Sequence, residues 1–277
     1  MMVPECPPRF PKLHNISWIM GCGRTGSTWL LELLSSFPKI ITWNEPYFGT
    51  FVSHLWTTPK DVNRVESFFY SQFEQTWTNG LSNLLQEMSR VRFSSAEADD
   101  RLVIKEVNAP QIAPYISQVA PGSKYILLVR DPYDVLDSYL DMQRPGAWNE
   151  EFSKGLRGTN VVRQTCYHIQ QLLDTAVGGF DCHPPTDRMR ISYEELHEHT
   201  QETLMTVCNF LGLSISEPIL KSAIQKNLFI HHPVNGPGQF RRLGFVGSWR
   251  VSDHFNDTVL NDAAEVLGDL RRRLGYG

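Results

Sequence analysis

The strongest constraint on the fold is a change of periodicity near the start of the chain. Ile16–Met20 is a short apolar run that halts at Gly21, and a glycine-rich turn, Gly21-Cys-Gly-Arg-Thr-Gly-Ser-Thr28, follows it. Trp29, Leu30, Leu33, Leu34 and Phe37 then recur at helical spacing until Pro38. A buried strand passing through a tight turn into a helix is the first half of a βα unit. The pattern repeats downstream. Ile40–Trp43 and Leu102–Val107 read as strands, and Lys124–Arg130 (KYILLVR) is almost continuously apolar, as a parallel strand covered on both faces must be. Asp131 can cap a helix and Pro132 suits its first position, which predicts a helix over 132–142. Helices are also expected over 159–177, 200–211 and 257–274, with a strand at 189–192. These expectations define an α/β fold: a single domain with a central parallel sheet flanked by helices.

Composition narrows the function. Of 277 residues, 41% are hydrophobic and 20% charged, enough to build a core and too apolar for a disordered chain. Lys and Arg number 26 against 30 Asp and Glu, a net charge of −4, which disfavours nucleic acid as a partner. The five cysteines are odd in number, widely spaced and without a CxxC, so neither a disulfide framework nor a zinc ribbon is supported. The Pro-rich lead over 1–15 lacks the apolar run of a signal peptide. No stretch reaches the roughly 18 apolar residues of a membrane span. A cytoplasmic protein without a membrane partner is expected, with one domain over 16–277. Segments 144–158 and 231–248, rich in Gly and Pro, are loop or lid candidates.

The glycine-rich turn carries the first functional signal. Backbone N–H groups and the positive end of the following helix converge there, which suits an anion. The spacing Gly21-x4-Gly26 matches a nucleotide phosphate loop, but Ser27 and Thr28 stand where such a loop has Lys and Ser/Thr. A triphosphatase needs that lysine and Mg²⁺, so a phosphate is expected here and no metal. A tight βα connection of no function would look similar. A second anion site supports the functional reading: Arg130 ends a buried strand and Ser138 lies on the next helix, at the sheet edge where ligands bind. The alternative for Arg130 is a surface salt bridge with Asp134.

Together these segments resemble the sulfotransferase family, which uses 3′-phosphoadenosine 5′-phosphosulfate (PAPS) and releases the desulfonated nucleotide, PAP. GCGRTGSTWL resembles its 5′-phosphosulfate loop, and RDPYDVLDSYL its 3′-phosphate motif. ISYEEL followed by CNFLGL, and RLGFVGSW at 242–249, fall in the family's order, so the likeness runs from about residue 16 to 250. The resemblance implies a phosphate-loop, PAPS-binding fold and a residue-by-residue expectation. Thr25, Gly26, Ser27 and Thr28 would hold the 5′-phosphate, with Trp29 beside them and Arg24 near the bridging oxygen. Arg130, Ser138, Arg242 and Gly244 would hold the 3′-phosphate, with Arg241 as a further cation. Tyr193 would contact adenine, and Lys105 would stabilise the leaving oxygen. The chain also departs from the pattern. Cytosolic members have Lys-x-His where Lys105-Glu106-Val107 stands, and Leu243 replaces a lysine between Arg242 and Gly244. The cytosolic dimer motif is broken at His254 and Ala263, so the oligomeric state stays open.

Without the histidine, a carboxylate is the natural base. Glu45, in TWNEPYFGTF after the second strand, is the first candidate, an arrangement that some bacterial and carbohydrate sulfotransferases resemble. Pro46 disfavours right-handed helical backbone at Glu45, and Trp43, Tyr47 and Phe48 are placed to desolvate it. Glu106 is the second candidate, although alternation from Lys105 turns it to the opposite strand face. His54 is the third. Residues 43–77 hold ten of the 31 aromatics, which suits a pocket for a compact alcohol, phenol or amine as well as ordinary core. Tyr47, Phe48, His54 and Glu106 are therefore candidate acceptor contacts, and the expected partner is a small-molecule acceptor. The competing readings are a small-molecule kinase and a nucleotide-binding protein without activity. The acidic total conceals a local excess: Arg24, Lys105, Arg130, Arg241 and Arg242 all fall at expected strand ends or loops.

Overall fold

A computed structural model of the protein describes residues 10–57, 73–147, 149–150, 160–228 and 244–277. The strands are β1 (Ile16–Gly21), β2 (Ile40–Asn44), β3 (Arg101–Lys105), β4 (Lys124–Val129) and β5 (Arg188–Ser192). They form one parallel sheet in the order β2-β3-β1-β4-β5, flanked by helices. The α/β expectation holds. β1 is buried along its whole length, and β4 is buried after Lys124, which explains why both read as unbroken apolar runs.

The helices in chain order are α1 (Ser27–Ser35), α2 (Phe48–Thr57), α3 (Glu74–Arg92), α4 (Ile116–Val119) and α5 (Pro132–Met142). They continue with α6 (Val161–Cys182), α7 (Tyr193–Glu198), α8 (Thr200–Phe210), α9 (Glu217–Lys226) and α10 (Asp257–Arg273). Local chemistry sets several of their ends. The Asp131 carboxylate accepts from Tyr133 N–H at 3.0 Å and Pro132 follows, so α5 begins where the sequence predicts. Ser192 and Glu195 form a reciprocal capping box at α7. Asn256 caps α10, whose last turn carries Arg271, Arg272 and Arg273 at the negative end of the helix dipole. Several boundaries differ from the sequence expectation, β3 stopping at Lys105 and not Val107 among them. α1 starts at Ser27, inside the glycine-rich motif, and α6 runs on to Cys182.

By internal contact the chain divides into two compact units. The first comprises Met1–Met20, Leu30–Leu127 and Thr175–Met189; the second comprises Gly21–Trp29, Leu128–Asp174 and Arg190–Gly277. In the first unit, register aligns the carboxyl ends of three strands. Lys105 of β3 is level with Asn44 of β2 and Ile19 of β1. Ligands of open parallel sheets bind at that edge. Among the described residues no helix is long and apolar enough to cross a membrane.

Candidate active site

The second unit contains the glycine-rich turn and packs two arginines, Arg24 and Arg130, around it. Gly21 has φ 155°, and a Cβ there would strike the Leu128 carbonyl oxygen, so the turn must begin with glycine. Thr25 Oγ1 closes the turn by donating to the Cys22 carbonyl at 2.7 Å. Arg24 is held at φ 69° and donates from Nε to Ser138 Oγ at 2.9 Å. Arg130 donates to the carbonyls of Arg24 and Phe245, each at 3.3 Å, and its guanidinium lies 4.3 Å from the centre of the Tyr193 ring. Gly26, at φ 87°, touches the same ring; a Cβ there would overlap it. The Tyr193 hydroxyl donates to the Gly244 carbonyl, and burial pushes its pKa up to about 12. Trp29 packs edge-on to Tyr193 and donates from its indole to the Asn227 carbonyl at 3.0 Å. Thus Arg24, Thr25, Gly26, Trp29, Arg130, Ser138, Tyr193 and Gly244 converge. Ser27 and Thr28 open α1 with their backbone N–H groups at its positive end.

Arg130 does pair with Asp134, at 3.7 Å, but not on the surface: the two side chains are 8% and 0% exposed. Asp134 is engaged elsewhere, accepting from Gly247 N–H at 2.8 Å and from Ser248 Oγ and Trp249 N–H at 3.0 Å. The Arg130 Nε is buried without a hydrogen-bond partner among the described residues. A buried guanidinium whose Nε lacks a partner among the described residues, beside a turn with no room for a Cβ at Gly21 or Gly26, is chemically fitted to an anionic group. Arg241 and Arg242 lie outside the described residues.

In the first unit, the ends of β2 and β3 hold a carboxylate–lysine cluster. Lys105 Nζ is 2.9 Å from both Glu45 Oε1 and Asn44 Oδ1. The Lys105 and Glu45 side chains are 5% and 9% exposed, so the pair is largely desolvated. Glu45 also accepts from Asn108, from Nδ2 at 3.0 Å and from the backbone N–H at 3.3 Å. Sequence reasoning missed Asn108; NEP and KEVN become neighbours only through β2–β3 pairing.

Three expectations for this region change. Two of the three aromatic residues around Glu45 are placed otherwise than expected: Trp43 packs against Phe93 at 5.7 Å, and Tyr47 is 53% exposed. Glu45 avoids right-handed helical backbone, as Pro46 requires, but adopts φ 46°, not an extended conformation. Glu106 does not follow strand alternation, because β3 ends at Lys105. It is fully buried, and its Oε2 accepts from Phe48 N–H at 3.2 Å. An acceptor cannot reach it in this conformation. Burial, reinforced by the charge of Glu45, raises the Glu106 pKa to about 8. Phe48 is buried, and the His54 side chain lies outside the described residues. Cys22 is a buried filler beside Tyr139 with its thiol pKa raised to about 12 by desolvation.

A parallel sheet, a glycine-bounded turn at a helix start and a buried arginine define a phosphate-loop α/β protein. Residues 18–217 match the model of the sulfotransferase family. Human Sulfotransferase 2A1 is 28% identical over 179 residues, 55% of this chain; the match spans 59% of the human protein. Among solved structures, the sulfotransferase domain from the curacin biosynthetic pathway superposes with a TM-score of 0.62 at 18% identity, covering 97% of this chain and 99% of that domain. Mouse sulfotransferase SULT7A1 complexed with PAP gives 0.55 at 14% identity, covering 94% and 88%. The structural likenesses are likenesses of fold. The chain belongs to the sulfotransferase family.

Proposed function

We propose that the protein is a PAPS-dependent sulfotransferase acting on a hydroxyl, or an amine, of a compact acceptor by in-line displacement. PAPS supplies the activated sulfuryl group and leaves as PAP; no metal is needed. The cradle of Arg24, Thr25, Gly26, Ser27, Thr28, Trp29, Arg130, Ser138, Tyr193 and Gly244 would hold the nucleotide, joined by Arg241 and Arg242. Family membership and Ser27 in the lysine position favour this reading over a kinase.

The observation that carries the mechanism is the Glu45–Lys105 pair. The lysine ammonium sits 2.9 Å from Glu45 Oε1 and fixes the carboxylate in place. An ionised carboxylate offers about four lone-pair sites; Lys105 and the two Asn108 donors occupy three of those on Glu45. Among the described residues, one site on Oε2 is left for the acceptor proton. Glu45 keeps slight exposure where Glu106 has none, which favours Glu45 over Glu106 as the base. Once Glu45 takes a proton, Lys105 loses its ionic partner and its charge is released to oppose negative charge on the leaving oxygen. Tyr47 and Phe51, both more than half exposed beside this cluster, offer apolar surface to the acceptor.

The test combines a thermal shift with PAP and a turnover assay by mass detection over alcohols, phenols, amines and a tyrosine peptide. Glu45→Gln should abolish turnover and keep the PAP shift. Lys105→Ala should slow turnover without weakening the acceptor. Wild-type turnover in Glu45→Gln removes Glu45 as the base, and a wild-type chain with neither shift nor turnover refutes the function.

A further inference from the structure

We propose that Glu106 is a positioning residue: its carboxyl group fixes the Glu45–Gly49 turn by accepting the backbone N–H groups at the start of α2, and so aims the Glu45 carboxylate. This rests on the reading of Glu45 as the base. The turn is a conformation that its own sequence does not favour. Glu45 has φ 46° and Tyr47 φ 57°, with Pro46 between them. Two non-glycine residues in the left-handed region within three positions persist only where the surroundings hold them.

The surroundings are consecutive residues of one strand end. The Lys105 carbonyl accepts from Glu45 N–H at 2.8 Å and fixes the entry to the turn. Glu106 Oε2 accepts from Phe48 N–H at 3.2 Å, and Gly49 N–H also points to this carboxyl, which fixes the exit. The Glu106 backbone is itself tied to β1 through its N–H to the Ile19 carbonyl at 3.1 Å. The start of α2 is pressed onto the segment after β3, because a Cβ on Gly49 would overlap the Ala109 carbonyl oxygen. Glu106 is thus a side-chain acceptor for N–H groups that a helix start leaves unpaired. The cap is supplied 58 residues away in sequence, not by the residue before the helix.

Its second oxygen, Oε1, is buried with no partner among the described residues. Among the described residues the charged groups facing it are Glu45 and Lys105. A buried carboxyl beside another carboxylate, accepting through one oxygen only, is disfavoured as an anion. An amide presents the same carbonyl acceptor, so Gln can replace it and an apolar residue cannot.

Glu106→Gln and Glu106→Leu decide the matter in the full chain, with kcat and acceptor KM measured at saturating PAPS and PAP binding followed by thermal shift. The leucine variant should lose about tenfold to a hundredfold in kcat, the scale of an ångström-level misplacement, with PAP binding unchanged. The glutamine variant should keep at least a tenth of wild-type turnover. Loss of turnover in Glu106→Gln overturns the proposal, since the residue would then act through its proton; full turnover in Glu106→Leu overturns it as well. If the leucine variant does not fold, the glutamine result stands alone as the decision. Glu45→Gln is run beside them: if it keeps turnover, the base assignment fails separately. Amide hydrogen exchange at Phe48 and Gly49, faster in Glu106→Leu and unchanged in Glu106→Gln, then still reports whether Glu106 holds the turn.

Discussion

Glu106 makes the protein less stable as the pH rises, and the size of the effect follows from its site. The carboxyl is fully buried, and its pKa moves from 4.5 to about 8 because burial, first, and the Glu45 charge, second, disfavour ionisation. The folded state therefore holds a proton that the unfolded chain releases. The sign follows from linkage: this contribution is fully present below pH 4.5 and is lost as pH rises to about 8. At about 1.4 kcal/mol per pH unit the whole span is about 5 kcal/mol, of which about 4 falls between pH 5 and 9. That is a large share of the ~5–15 kcal/mol of a typical domain. Glu106→Gln keeps a neutral acceptor at every pH and removes the linkage. Urea unfolding of both proteins from pH 5 to 9 isolates the effect as a difference, free of the other titrating groups. The variant should gain on the wild type steadily, with most of the gain complete near pH 8. Parallel stability curves would refute the reasoning, because Glu106 would then be ionised in the fold at neutral pH.

Two other perturbations probe the nucleotide cradle. Gly26→Ala combines an unfavourable φ of 87° with a Cβ that overlaps the Tyr193 ring; calorimetry should show a PAP affinity loss of about tenfold or more, and unchanged affinity would sink the assignment of the turn. Asp134→Ala removes the acceptor for Gly247, Ser248 and Trp249 and the partner of Arg130. It should cost about 3–5 kcal/mol, the range for breaking a buried ion pair, read as a drop in unfolding midpoint; a change below about 1 kcal/mol would mean the network is dispensable.

Much of the fold could be read locally because its signals are local. β1 and β4 are covered on both faces and stand out as apolar runs; α5 is bracketed by its own Asp131 cap and Pro132. α2 and α3 escaped for a different reason. α2 begins in a turn with positive φ, holds Gly49 in its first turn, and draws its cap from Glu106 on another strand, so no start signal appears in its own sequence. α3 does have a buried stripe at Thr78, Leu81, Leu85 and Ser89, but two of these are polar, which blurs the period.

The site shows the same division. The turn from Gly21 to Thr28 could be read because its glycines answer to backbone geometry. The Glu45–Lys105 pair needed the strand order, since 60 residues separate the partners and only β2 lying against β3 makes them neighbours. Arg130 is the instructive case. From sequence its choice lay between an anion and Asp134 one helical turn on. The two are not exclusive. Asp134 accepts from two backbone N–H groups and a hydroxyl, which disperse its charge, and it stands at 3.7 Å, too far for a direct hydrogen bond. That partner offsets part of the cost of burying a guanidinium without saturating it. Among the described residues Arg130 Nε has no hydrogen-bond partner, a desolvation cost that an anionic ligand would offset by supplying the missing acceptor.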